Sequence, residues 1–129
     1  MQTLRQDAQA IIDKALADAL PDSAVRRALE QFQKPEGRLV LIAAGKAAWQ
    51  MAKAAYDVLG AAITGGAVIT KYDHVKGSIG ALELFEAGHP VPDENSYRAT
   101  SRALELVSGL SERDAVLFLL SGGGSALFE

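Results

Sequence analysis

There is no cysteine in this 129-residue chain, which removes disulfides, thiolate nucleophiles and zinc-thiolate sites while leaving the redox compartment undetermined. Two histidines leave little room for a histidine-built metal centre. The longest apolar runs, Leu39 to Ala44 and Ala115 to Leu120, fall far short of the roughly 20 residues that cross a bilayer, so no membrane partner is expected. No charged start followed by an apolar core is present in Met1-Gln2-Thr3-Leu4-Arg5-Gln6-Asp7, so no secretory signal is visible and the cytoplasm is the expected location. Positive charge is also short. The 13 basic residues are scattered against 16 acidic ones, giving a net charge of −3, and nucleic acid is not an expected partner.

What the chain does have is apolar content, at 49% enough to build the core of one globular domain. Leu4, Ala8, Ile11, Ile12, Ala15, Leu16 and Ala19 recur at helical spacing and predict an amphipathic helix from Thr3 to Leu20. Pro21-Asp22-Ser23 breaks it, and Asp22 or Ser23 is suited to cap a second helix through about Phe32. Beyond the turn Lys34-Pro35-Glu36-Gly37, Leu39 to Ala43 reads as a buried strand. Gly45-Lys46 and an alanine-rich helix from Ala47 to Leu59 follow it. Strand, glycine turn and helix are the grammar of α/β folds. Further strands are predicted at Ala67 to Thr70 and Leu82 to Glu86, a helix at Glu94 to about Gly109, and a last strand at Ala115 to Leu120. That final run is short and wholly apolar, as in a strand buried on both faces. The expected organisation is a helical hairpin over 1–34 and an incomplete sheet over 38–129, with the chain expected to stop inside a structural unit.

Chemistry concentrates at strand ends. Ser121-Gly122-Gly123-Gly124-Ser125 follows the last strand, and three consecutive glycines carry an entropic cost that a plain connector would avoid. Their backbone N–H groups can closely approach an anion. The structural alternative is a tight turn or close strand-to-helix packing. Gly45-Lys46 puts an ammonium at the turn from a strand into a helix, where ligands collect in open α/β sheets. An exposed lysine is the plain alternative, although positive charge is mildly unfavourable at a helix N-terminus. The spacing is not a P-loop, since no glycine stands five residues before Gly45 and Ala47 replaces the metal-binding hydroxyl. Nor does Gly123-Gly124-Ser125-Ala126-Leu127 form the nucleophile elbow of hydrolases. Gly88-His89-Pro90-Val91-Pro92-Asp93-Glu94 gathers a histidine, two rigid prolines and two carboxylates. Asp93 and Glu94 are equally what a helix N-terminus prefers. Thr70-Lys71-Tyr72-Asp73-His74 also follows a strand end and can reach the same crevice.

In this order, Ala44-Gly45-Lys46-Ala47-Ala48 with Met51-Ala52, Thr70-Lys71-Tyr72 with His74, Glu86 to Glu94, and Ser121 to Leu127 resemble the N-terminal part of class II glycerate kinases. The resemblance covers most of the chain from about Leu39 onward. It implies a Rossmann-like three-layer α/β sandwich, incomplete here, a second domain beyond this chain, and an active site in the cleft between the two. It further implies transfer of the ATP γ-phosphate to D-glycerate, giving 2-phosphoglycerate, with magnesium as the divalent metal. Lys46 would be the catalytic cation, with Gly45 and Ser121, Gly122, Gly123, Gly124 and Ser125 binding phosphate or the glycerate carboxylate. Lys71, His89, Asp93 and Glu94 would be further site residues without assigned roles. Asp73 stands where the family commonly has glycine, so a positive φ there would come at a cost and a changed turn would remove His74 from the site. Hydroxypyruvate reductase is the competing enzyme reading, but the nicotinamide fingerprint of three spaced glycines is missing. A non-catalytic ligand-binding or assembly fragment is the third. An incomplete sheet would expose an edge and an apolar face that invite association, which leaves a homo-oligomer open.

Overall fold

The computed structural model describes residues 3–129, in which four parallel strands form one sheet in the order β3-β2-β1-β4. The strands are β1 (Leu39–Ala44), β2 (Gly65–Lys71), β3 (Glu83–Ala87) and β4 (Ala115–Leu120). Helices α1 (Leu4–Ala19) and α2 (Pro21–Leu29) precede the sheet. Between strands lie α3 (Ala48–Leu59), a 3-10 turn at Gly60–Ala62, and α4 (Glu94–Val107), and a short α5 (Gly124–Leu127) follows β4.

Alternation along the central strands divides the core in two. Leu39, Leu41, Ala43 and Val68 point to one face, where they meet Val25 and Leu29 of α2 and Ala48, Ala52, Ala55 and Leu59 of α3. Val40, Ile42, Ala67 and Ile69 point to the other and meet Ala99 and Ala103 of α4 and Leu127 of α5. The alanines of α3 and α4 let the helices sit close to a sheet already filled by branched side chains, giving the expected layers of helix, sheet and helix.

Register between β1 and β4 is set where they begin. The Asp114 carboxylate accepts from the Arg38 N–H at 2.6 Å and the Ser111 N–H at 2.8 Å. Gly37 N–H donates to Arg113 O and Ala115 N–H to Arg38 O, bringing Leu39 opposite Ala115 and Ala44 opposite Leu120. The two strands therefore end side by side. That alignment places the turns after them against each other.

Several boundaries differ from the sequence reading. A single extended residue, Leu20, separates α1 from α2, because the residue before proline is pushed out of helical conformation and Pro21 itself suits the first helical position. Neither Asp22 nor Ser23 caps α2; Asp22 instead accepts from the Gln50 amide at 2.6 Å. The two helices of the expected hairpin form, but α2 packs on α3 while α1 buries no residue and leaves Leu4, Ile11, Ile12 and Leu16 exposed, as is Leu20 after it. α2 also ends at Leu29, short of Phe32, and α4 ends at Val107.

β4 is not buried on both faces. α4 lies over β2 and β3 and barely reaches β1, so Val116, Phe118 and Leu120 remain 43%, 46% and 60% exposed at the sheet edge. The Phe128 ring meets Phe118 edge-on, with centroids 5.7 Å apart, and covers part of that strip.

The Ser111 and Arg38 N–H groups hold the Asp114 carboxyl below its ordinary value near 3.8. A depressed folded-state value contributes stability that is complete above the unfolded value and is lost as pH falls through the folded one. Asp114→Asn is expected to lower Tm at pH 7 and to flatten the fall of Tm below about pH 4, measured by thermal melts from pH 2 to 7.

Candidate functional site

At the carboxyl ends of β1 and β4 the chain makes two turns that are stitched together. Gly45 leaves β1 with φ +128° and donates its N–H to Ile69 O. Lys46 N–H donates to Gly122 O at 2.8 Å, Ala47 N–H donates to the Ser121 hydroxyl at 3.0 Å, and Ser121 N–H donates to Ala44 O at 3.0 Å. A methyl group on Gly45 would come within 2.7 Å of Ser121 O, so glycine is required both by the backbone angle and by the closeness of the second turn.

Gly123 supplies the other sterically demanding point. At φ +82° it opens α5, and a methyl group on it would meet His89 Nε2 at 2.7 Å and Lys46 Cγ at 3.3 Å. A methyl on Gly122 would touch Lys46 Cε at 3.7 Å. Lys46 therefore runs along the glycine loop, with the His89 imidazole beside it. Lys46 is exposed and makes no ion pair among the described residues. The Gly122 and Gly123 N–H groups likewise have no acceptor among the described residues. A free cation beside unpaired backbone donors is an arrangement that binds oxyanions.

On its other side Lys46 lines an open cleft of about 380 Å³ shared with Ala47, Trp49, Gln50, Asp73, His74 and Lys76. The Trp49 indole donates to Gly77 O at 2.8 Å and ties the far wall of the cleft to α3.

The remaining candidates divide. His89, joined to Pro90 by a cis peptide, reaches the glycine loop. Asp93 is the N-cap of α4: its carboxylate accepts from Ser96 N–H at 3.2 Å and from the Tyr72 hydroxyl at 2.5 Å, and Asn95 donates to that hydroxyl at 2.8 Å. Tyr72 thus holds the Asp93 carboxyl below its ordinary value, aided by backbone N–H groups of Gly88, Ser96 and Asn95 and opposed by burial. The same bond raises the Tyr72 hydroxyl above its ordinary value. Glu94 is mostly exposed, with Arg98 Nε 3.4 Å away. Lys71 ends β2 opposite Ala87, and Ser125 is exposed on α5. Gly124 is buried beneath Leu120. No cluster of three or more histidine, aspartate or glutamate side chains suited to a metal occurs among the described residues.

Asp73 takes φ +67°, so the glycine-like turn forms with aspartate in it. The turn returns His74 to the site, its Nδ1 lying 3.1 Å from Lys46 O. Tyr72, Asn95 and the bond between His74 and Lys46 were not assigned from sequence. The position of Tyr72 just past a strand end, among polar neighbours, was the available signal.

Residues 7–129 match the family described as "Domain of unknown function (DUF4147)". The chain belongs to this family. It is 53% identical over 128 residues to the D-glycerate 2-kinase of Thermotoga maritima, an alignment covering 99% of this chain and 30% of that protein. The crystal structure of the Thermotoga maritima glycerate kinase superposes with a TM-score of 0.86 over 95% of this chain and 29% of the other. A relative from Agrobacterium vitis, 42% identical over 123 residues, carries the name hydroxypyruvate reductase provisionally; the alignment covers 95% of this chain and 27% of that protein. The chain thus spans under a third of the length of these relatives. The shared fold is the four-strand parallel sheet flanked by helices.

Tyr72→Phe removes the donor that depresses Asp93. Its carboxyl is expected to titrate at higher pH than in the unsubstituted protein, read from the Asp93 side-chain carbon resonance across an NMR pH series.

Proposed function

We propose that this chain is an N-terminal segment of a glycerate 2-kinase that moves the γ-phosphate of ATP onto D-glycerate. The observation that carries the reading is the Lys46 side chain, without an ion pair among the described residues, lying along a triple-glycine loop whose leading N–H groups have no acceptor among those residues. The name of the Thermotoga maritima relative, 53% identical, points to the same reaction. Phosphoryl transfer needs positioning and charge neutralisation more than covalent chemistry, and a lysine facing backbone donors supplies both.

In this scheme the 2-hydroxyl oxygen of glycerate attacks the γ-phosphorus and releases its proton to solvent, while the bond to the β,γ-bridging oxygen breaks and ADP leaves. Lys46 neutralises charge on the transferring oxygens. Gly45 provides the turn that aims it. Ser121, Gly122, Gly123, Gly124 and Ser125 form the loop that receives phosphate or carboxylate, His89 lies at its rim, and Lys71, at the end of β2, is a further cation available to the substrate. Asp93 and Glu94 we assign to the helix start behind His89, since the Asp93 carboxylate already accepts from Tyr72 and Ser96. Magnesium would come with the nucleotide. The described carboxylates do not gather to hold it, so no step here runs through the metal.

The rest of the enzyme, including a second domain closing the cleft, lies outside this sequence in our reading. We place it in the cytoplasm acting on small molecules, with neither nucleic acid nor membrane as partner. No described helix is long and apolar enough to cross a bilayer. A reductase has only the name of some relatives in its favour, because the turn after β1 holds one glycine where a dinucleotide fingerprint needs several.

Phosphorus NMR of the full-length protein with magnesium-ATP and D-glycerate is expected to show a 2-phosphoglycerate resonance. Absence of any phosphorylated product from folded protein would overturn the reading. Lys46→Ala should lower kcat about 10³-fold with Tm preserved, because the side chain is exposed and unpaired. Gly123→Val should weaken nucleotide or glycerate binding, read by calorimetry, because the added group displaces His89 and Lys46, and should also lower Tm, because φ +82° disfavours a β-branched residue.

A further inference from the structure

We propose that His74 and Glu86 are positioning residues that set Lys46 through its backbone carbonyl. The inference rests on the reading of Lys46 as the cation of the transfer.

Lys46 is held from two directions. On the glycine-loop side its N–H donates to Gly122 O at 2.8 Å. On the opposite side its carbonyl lies 3.1 Å from His74 Nδ1 and 3.4 Å from the hydroxyl of fully buried Thr70. A carbonyl oxygen only accepts, so Nδ1 carries the proton and the ring donates. The tautomer follows from the partner.

His74 is itself anchored. Glu86 Oε2, on β3, accepts both the His74 N–H and the Val75 N–H at 3.1 Å, and the His74 N–H also lies 3.2 Å from Lys71 O. Asp73, at φ +67°, makes the tight reversal that lets residue 74 come back over the end of β1. A carboxylate on the edge strand β3 thereby fixes a turn, the turn fixes an imidazole, and the imidazole fixes the peptide from which the Lys46 side chain departs. A misplacement of about 1 Å at a reacting group can cost on the order of 10²-fold in rate.

The test uses the full-length protein with His74→Leu, which removes the donor, and His74→Asn, whose amide can replace Nδ1–H. His74→Leu is expected to lower kcat about 10- to 100-fold with a smaller change in either KM. His74→Asn should recover most of the loss. In a Lys46→Ala background His74→Leu should add no further loss, because it acts through Lys46. Unchanged kcat in His74→Leu, or an added loss in the Lys46→Ala background, overturns the proposal. If His74→Leu does not fold, His74→Ala takes its place: a loss of kcat recovered by His74→Asn supports positioning, and unchanged kcat overturns it. Amide hydrogen exchange at Lys46 and Ala47 gives a readout free of the reaction. Faster exchange in His74→Leu but not in His74→Asn supports the anchor, and equal exchange in both overturns it. Should the unsubstituted protein phosphorylate nothing, the kinase reading fails while this exchange comparison still decides whether His74 holds Lys46.

Discussion

The backbone bond from Lys46 to Gly122, reinforced by the Ala47 bond to the Ser121 hydroxyl, makes the turns after β1 and β4 a single object. The second of these bonds joins residues 74 apart in sequence. Their joining depends on parallel pairing of β1 with β4 in a register that ends both strands together. Asp114 enforces that register from the opposite end of the sheet by binding the Arg38 and Ser111 N–H groups. A clip at the base of two strands thus determines what meets at their tips.

The same geometry explains the division of labour among the polar loops. Residues that reach the stitched turns are Lys46, His89 and the glycines, and they are left with unpaired groups. Residues one layer back use their polar atoms on one another: Tyr72 with Asp93 and Asn95, Glu86 with the turn at 74–75, Thr70 with Lys46 O. Supporting groups satisfied by protein partners keep their rotamers without a ligand. Groups with free valence are the ones a ligand can occupy.

The exposed apolar surfaces follow from where the helices land. α4 covers β2 and β3, α2 and α3 cover one face of β1 and β4, and the outer face of β4 is left with Val116, Phe118 and Leu120 part-exposed. α1 carries an apolar stripe that no described residue covers. In isolation, such an edge and stripe favour association.

Strand and helix identities were legible in the sequence because their signals are local. Apolar runs bounded by glycine and proline marked the strands, 3.6-residue spacing marked the helices, and Gly45, Lys46 and the triple glycine stood out through residue types whose backbone cost or charge is set by chain position. The end of β4 as an edge was not legible, since its run of apolar residues is the same whether a helix covers it or not. Nor were the bond from Tyr72 to Asp93, whose place at the start of α4 the sequence did show, and the place of His74, which hung on whether Asp73 would accept a positive φ. Those outcomes depend on contacts between residues far apart in the chain. Local chemistry therefore determined which elements form and which residues carry free charge, while only the tertiary pairing of β1 with β4 and the turn at Asp73 decided which of those residues meet.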